Sequence, residues 1–272
     1  MIRLFLAVAL LLAGCVPQPG GADMVEIPFG NVRLAGFFYT PAGPGPFPLV
    51  VINHGKNAGP AAAQPPNPMT ERARQFTARG YAVLVPIRAG FGGAGGDYAN
   101  APCDQTRTGE LQADSIAAAI AFAKTLPQVD AHHIVVIGQS EGGLATMALA
   151  ARHIDGVVGL INMAGGLEYR DCPDWPQGDV AAFARYGLGA TTPSLWVYGD
   201  NDAHWGKGGI MARRFFAAYT AHGAPATFVD IGRFEHNSHN LFASPAGAPI
   251  WLPLFQSFFT SLGLPFSAAP AG

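Results

Sequence analysis

Short β-branched, apolar stretches alternate with longer stretches whose apolar residues recur at helical spacing. Residues 24–29 and 32–39 predict two strands joined at Gly30-Asn31, a hairpin-type turn. A Pro/Gly loop over 41–48 leads to LVVIN (49–53), a buried-type strand, then a helix over 69–79 ended by Gly80, and the strand YAVLVP (81–86). A helix over 108–126, the strand HIVVI (133–137), a helix over 144–151 and the strand GVVGLIN (156–162) follow. Residues 164–191 read as irregular with a short helix near 180–186; SLWVY (194–198) and 226–231 predict strands, and 210–222 and 250–262 helices. This alternation predicts a mostly parallel eight-stranded sheet with helices on both faces, an antiparallel N-terminal edge, and one α/β domain over 24–264. Residues 265–272 read as a disordered tail.

Composition adds a large core and little surface charge. With 49% hydrophobic and 12% charged residues among 272, one large core can be buried. The net charge of −2, without a Lys/Arg cluster, argues against nucleic-acid binding. Met1-Ile2-Arg3 and the apolar run 4–12 lead to Leu12-Ala13-Gly14-Cys15, which resembles the lipobox of bacterial lipoproteins. The run is too short to span a bilayer comfortably, so 1–14 read as a cleaved signal peptide, Cys15 as the lipidated residue and 15–23 as a tether. The expected localisation is a membrane facing the periplasm or cell exterior. Outside the cytosol, the remaining pair Cys103 and Cys172 predicts a disulfide.

Chemistry concentrates at strand ends, where open α/β sheets carry their working loops. Gly138-Gln139-Ser140-Glu141-Gly142-Gly143 sits between HIVVI and a helix, a serine on a sharp turn flanked by glycines. A serine hydroxyl needs a base, and the base an orienting acid. Gly199-Asp200-Asn201-Asp202 follows SLWVY, and Phe234-Glu235-His236-Asn237-Ser238-His239 follows the last strand, giving the order Ser, acid, His. From the residues alone, Asp200 or Asp202 serves as acid and His236 or His239 as base. His204, near the acid loop, reads as a surface residue, with a place lining the site as the alternative. The loop 88–96 lacks the Lys-Ser/Thr of a phosphate loop, and the spacing of His236 and His239 completes no zinc site, so neither cofactor nor metal is expected.

On these motifs the chain resembles the α/β-hydrolases, in particular the dienelactone hydrolase-like group, over residues 25–262. The resemblance implies an acid in a Gly-x-x-Asp pattern, at Asp202, and a histidine before a short apolar pair, at His239 in Ser238-His239-Asn240-Leu241-Phe242. It also implies an oxyanion hole from the backbone N–H groups of Glu141 and of Lys56, in the turn His54-Gly55-Lys56, with Asn57 as the rival donor. Dienelactone hydrolases carry a cysteine nucleophile where this chain has Ser140. That difference moves the expectation to a serine esterase acting on a small ester, with a peptidase or amidase, or a non-catalytic surface-binding lipoprotein, as alternatives. The pocket is expected to be shaped by 57–68, 90–104 and 164–189, with Phe91, Tyr98, Trp175 and Trp205 as candidate lining residues. Oligomeric state is not legible.

Overall fold

The computed structural model describes residues 21–267, so the expected signal peptide, Cys15 and most of the tether lie outside the described residues. The N-terminal edge is the hairpin of β1 (Asp23–Phe29) and β2 (Val32–Tyr39), paired from Asp23↔Phe38 to Phe29↔Val32. β2 also lies antiparallel to β4 (Ala82–Pro86), and from there the sheet is parallel. Its order is β1-β2-β4-β3-β5-β6-β7-β10, with β3 (Phe47–Asn53), β5 (Val129–Gln139), β6 (Val157–Met163), β7 (Ser194–Tyr198) and β10 (Ala226–Asp230). A two-stranded antiparallel ribbon, β8 (Asn201–Asp202) with β9 (Gly206–Lys207), projects beyond β7. The expected eight-stranded, mostly parallel sheet with its antiparallel edge is therefore present.

Successive strand residues point to opposite faces, and each face has its own apolar layer. Leu49, Val51, Ile134, Val136 and Trp196 face the layer that includes α2 (Gln105–Ala123), α3 (Glu141–Met147), α4 (Trp175–Gly187) and α5 (Ile210–Thr220). Val50, Ile52, Val135, Ile137 and Leu195 face α1 (Thr70–Thr77) and α6 (Ala248–Ser261). Burial on both faces explains why the central strands read as continuous apolar runs rather than alternating ones. On α6, Trp251, Phe255, Phe258 and Phe259 form one buried stripe at helical spacing, and Trp251, Phe255 and Phe259 stack around Phe76 of α1.

Several boundaries differ from expectation for local reasons. α2 starts at Gln105 because the Asp104 carboxylate accepts the Arg107 N–H at 2.8 Å, a side-chain cap that moves the start into the preceding loop. α4 begins at Trp175 with Pro176 in its first turn, a placement that suits proline's missing N–H. Phe266, assigned to the tail by sequence, is buried against Phe259 and Phe76. Cys103 and Cys172 form a disulfide with Cα atoms 5.6 Å apart, tying the loop after β4 to the segment after β6.

From β3 the chain steps to β4 on one side and then crosses to β5 on the other. The carboxyl ends of β3 and β5 thus flank a topological switch point, where sheets of this kind bind ligands. The His54-Gly55-Lys56 turn follows β3, and Ser140 follows β5.

Candidate active site

Ser140 occupies the one-residue junction between β5 and α3 with φ 55° and ψ −127°, a strained backbone for a residue with a side chain. A Cβ at Gly138 would collide with the Gly142 carbonyl and the Thr146 hydroxyl, and one at Gly142 with the His54 and Asn53 carbonyls. Only glycine at these two positions lets strand, helix and neighbouring turn close around the serine. The junction is pinned by the Ser140 N–H donating to the Met163 carbonyl at 3.1 Å, and by its own carbonyl accepting from Gly143 at 2.8 Å.

The Asp202 carboxylate is buried in the turn of the β8–β9 ribbon. One oxygen accepts the N–H groups of His204 (2.8 Å) and Trp205 (3.2 Å); the other accepts from Nδ1 of His239 at 2.9 Å. His239 lies on a single 3₁₀ turn, Ser238–Asn240, whose cap is Asn237. The Asn237 Oδ1 accepts the His239 N–H and the Ala203 N–H, both at 3.0 Å, so one amide oxygen joins the histidine turn to the acid turn. Gln139, next to the serine, donates through Nε2 to the His239 carbonyl at 3.1 Å.

The rivals are placed elsewhere. Asp200 engages the fold through its backbone, donating to the Gly232 carbonyl at 2.7 Å and accepting from Gly208 at 2.8 Å. His236 is exposed. Of the two placements open to His204, the structure shows the one at the site: its ring lines the Ser140 cavity, lies 4.3 Å from the His239 ring, and its Nδ1 meets Glu168 at 3.0 Å.

The turn after β3 lies directly against the serine, since a Cβ on Gly55 would come 3.1 Å from Ser140 Cβ. Asn57 is not available as a donor: its N–H is taken by the Gln64 side-chain oxygen at 3.0 Å. Among the described residues no acceptor meets the N–H of Lys56 or of Glu141. The Lys56 ammonium is folded back onto the Gly59 carbonyl at 2.9 Å.

Beneath these amides runs a buried ionic network that sequence reading missed. Arg88 and Glu141 are 1% and 2% exposed, with Nη2 3.8 Å from Oε1. Glu141 Oε1 also accepts the Tyr98 hydroxyl at 2.9 Å and the Gln112 amide, while Arg88 donates to the Gln112 oxygen at 3.0 Å and to the His54 carbonyl. Burial, and then the charge of Glu141, push the Tyr98 hydroxyl well above its ordinary range, so it remains a donor. Burial and the neighbouring Arg88 charge hold His54 down at about 3. His54 is therefore neutral, with Nδ1 donating to the Gly55 carbonyl at 2.8 Å. Arg88 was legible only as the first residue of a glycine-rich loop, and nothing local marks its partner.

Ser140, Gln139, His239, His204, His54, Lys56 and Phe91 line one cavity of about 510 Å³. Residues 57–58, 64–68 and 91–92 contribute as expected and Met69 extends that wall, but 164–189 do not reach it. That segment stands behind the histidines, where Trp205 is buried and donates to the Ala164 carbonyl at 2.8 Å. Trp175 packs on Trp205, and Tyr98 is committed to Glu141. Among the described residues no cluster of three or more His, Cys, Asp or Glu is arranged to hold a metal.

Residues 68–161 match the prolyl oligopeptidase family. The chain is 29% identical over 127 residues to the quorum-quenching protein AidA of Acinetobacter baumannii, covering 47% of this chain and 38% of that one. It is 30% identical over 148 residues to the putative esterase NocK of Nocardia uniformis, covering 54% and 41%. The matched stretches thus span well under half the length of either relative. Among solved structures, the Pyrococcus furiosus esterase Pf2001 superimposes with a TM-score of 0.62 at 16% identity, covering 92% of this chain and 95% of that one. Sheet order, the strand–serine–helix elbow and these likenesses together identify the fold as that of the α/β-hydrolases.

Proposed function

We propose that the chain is a serine hydrolase that cleaves a carboxylic ester through an acyl-enzyme. The observation that carries this is the 2.9 Å bond between His239 Nδ1 and the buried Asp202 carboxylate, on a histidine that lines one cavity with Ser140 on its strained turn. With Nδ1 committed to the carboxylate, Nε2 is the nitrogen left to act as base.

Ser140 Oγ attacks the ester carbonyl as its proton passes to His239 Nε2, and Asp202 stabilises the imidazolium. The new oxyanion sits between the N–H groups of Glu141 and Lys56, donors fixed in place before reaction. Collapse breaks the carbon–oxygen bond to the leaving alcohol, which takes the proton from His239. Water gives a proton to His239 and attacks the acyl carbon; the bond from that carbon to Ser140 Oγ breaks, Oγ takes the proton back from His239, and the acid is released. No charged group beyond Asp202 and His239 is needed to balance these steps.

A fluorophosphonate probe tests the assignment. It should label Ser140 in the folded chain and lose that label in Ser140→Ala, together with p-nitrophenyl ester turnover. Unchanged turnover in Ser140→Ala would discard the reading, and a folded chain with no adduct would favour a binding protein.

The match to the prolyl oligopeptidase family supports a second reading, a peptidase or amidase built on the same three residues. Comparing p-nitrophenyl esters with aminoacyl p-nitroanilides separates them. Export with lipid on Cys15 also belongs to this proposal, and the Cys103–Cys172 disulfide suits an oxidising compartment. Palmitate labelling that persists in Cys15→Ser would rule the anchor out.

A further inference from the structure

One cation at the mouth of the cavity is not used by the proposed mechanism. Arg72, on the first turn of α1, lines the Ser140 cavity and also an adjoining one of about 540 Å³ bounded by Phe242, Trp251 and Pro245. The two cavities share Asn67, Pro68, Met69, Arg72 and Ala243, so Arg72 stands where they meet.

Among the described residues no carboxylate pairs with Arg72 and no acceptor meets its guanidinium. Carboxylates in the vicinity are committed elsewhere: Glu71 pairs with Arg74 at 2.8 Å, Glu141 with Arg88, and Asp202 with His239. Among the described residues no Asp or Glu lines the Ser140 cavity, whereas Lys56 and Arg72 both do; Glu71 lines the adjoining one, where it is held by Arg74. Burial lowers the Arg72 pKa to about 10, so it is charged at neutral pH yet partly stripped of water. Its guanidinium lies 5.5 Å over the Phe242 ring, which holds it without neutralising it. Nearby, on the wall shared by the two cavities, the Asn67 side-chain oxygen accepts the Met69 N–H at 3.0 Å, which leaves its NH₂ as a donor.

A partly desolvated, unpaired guanidinium beside amide donors is an acceptor site for a carboxylate. We infer that Arg72 is a specificity residue and that the physiological ester carries a carboxylate, which docks on Arg72 while the ester carbonyl reaches Ser140. This rests on the serine-hydrolase reading for the second contact only. The acid lies either on the acyl part or on the leaving alcohol, according to which part enters the adjoining cavity.

Two substrate pairs test it: mono-p-nitrophenyl glutarate against its methyl ester, with the acid on the acyl side, and 4-acetoxybenzoate against its methyl ester, with the acid on the leaving group. The readout is the ratio of kcat/KM for acid over neutral ester. Wild type should favour the acid in at least one pair, and in Arg72→Gln that ratio should fall about tenfold or more, the scale of a charge-assisted contact, with most of it kept in Arg72→Lys. A purely packing role on Phe242 would change both esters together and leave the ratio fixed, and that result overturns the inference. So does the absence of acid preference in both pairs. Should Arg72→Gln fail to fold, the wild-type ratio must shrink as NaCl is raised; a salt-independent ratio counts against the inference. If no ester turns over and fluorophosphonate leaves Ser140 unlabelled, the catalytic reading is what fails. Calorimetry of glutarate against glutaramide then decides on Arg72, with glutarate binding to wild type and not to Arg72→Gln expected, and no binding to either overturning it.

Discussion

The two banks of the cavity are built by opposite means. On the bank formed after β3, β4 and β5, the groups offered to the oxyanion are main-chain amides, and they are braced by side chains: Arg88 holds the His54 carbonyl, and Glu141 is anchored by Arg88, Tyr98 and Gln112. On the bank formed after β7 and β10, the groups offered are side chains, and they are braced by main chain: Asp202 by two N–H groups, His239 through the cap at Asn237. Backbone chemistry is thus positioned by a buried ion pair, side-chain chemistry by turns. The first arrangement concentrates its risk in two charges, the second in local hydrogen bonds.

The largest effects should come from the side-chain bank and from the Ser140 hydroxyl that it serves. Ser140→Ala or His239→Ala should lower kcat by about three to six orders of magnitude, leaving the residual rate that the amide bank alone supports. Asp202→Asn should cost about 10³–10⁴ in kcat, while Asp200→Asn stays near wild type, as measured on one p-nitrophenyl ester. Equal losses at the two aspartates would erase the distinction between the relay and its supporting turn.

Breaking the ionic brace should act on stability first. Arg88→Met leaves Glu141 buried and uncompensated and should cost about 3–5 kcal/mol in denaturant unfolding. Adding Glu141→Gln should return part of that stability without restoring kcat, because the His54 carbonyl still lacks its donor. If the double variant were no more stable than the single one, the brace would not be electrostatic.

The disulfide joins the loop of one bank to the segment that carries Glu168 on the other. Its loop of 69 residues makes Cys103→Ser with Cys172→Ser worth about 2–4 kcal/mol of stability, readable as a lower Tm.

Counted per pH unit, the smallest effect is a slope with pH. His54 folds at about 3 against an ordinary 6.5, so between these values the unfolded chain binds a proton that the folded chain refuses. Its contribution is present above 6.5 and is lost as pH falls toward 3, at up to about 1.4 kcal/mol per pH unit. Asp179, near the side-chain bank, runs the other way. Burial raises its carboxyl well above 3.8 while, among the described residues, it accepts only the Leu167 N–H, so its contribution is lost as pH rises through the raised value. Urea unfolding from pH 4 to 7 should therefore lose its acid-side slope in His54→Gln and keep it in Asp179→Asn.

Legibility in the sequence follows the same division. The serine elbow, the acid turn and the histidine turn are short and continuous in the chain, and each follows a strand end, so spacing and order point to them. Arg88 and Glu141 lie on different elements, and only the packing of the loop after β4 onto α3 brings their charges together. His204 reads as a surface residue because its contacts, Glu168 and the His239 ring, come from distant segments. Residues 164–189 fail as a pocket wall because the disulfide and the Trp205–Ala164 bond draw the segment behind the histidines. The start of α2 depended on one capping carboxylate, below the resolution of apolar periodicity.

Asn237 has a bearing on how such a protein can be altered. Since a single amide oxygen couples the turn of Ala203 to that of His239, the proposed acid and base move as one cassette, and the wall formed by 64–69 carries neither of them. Libraries confined to that wall can exchange substrates on an untouched reaction centre, whereas randomising Asn237 scrambles acid and base at once.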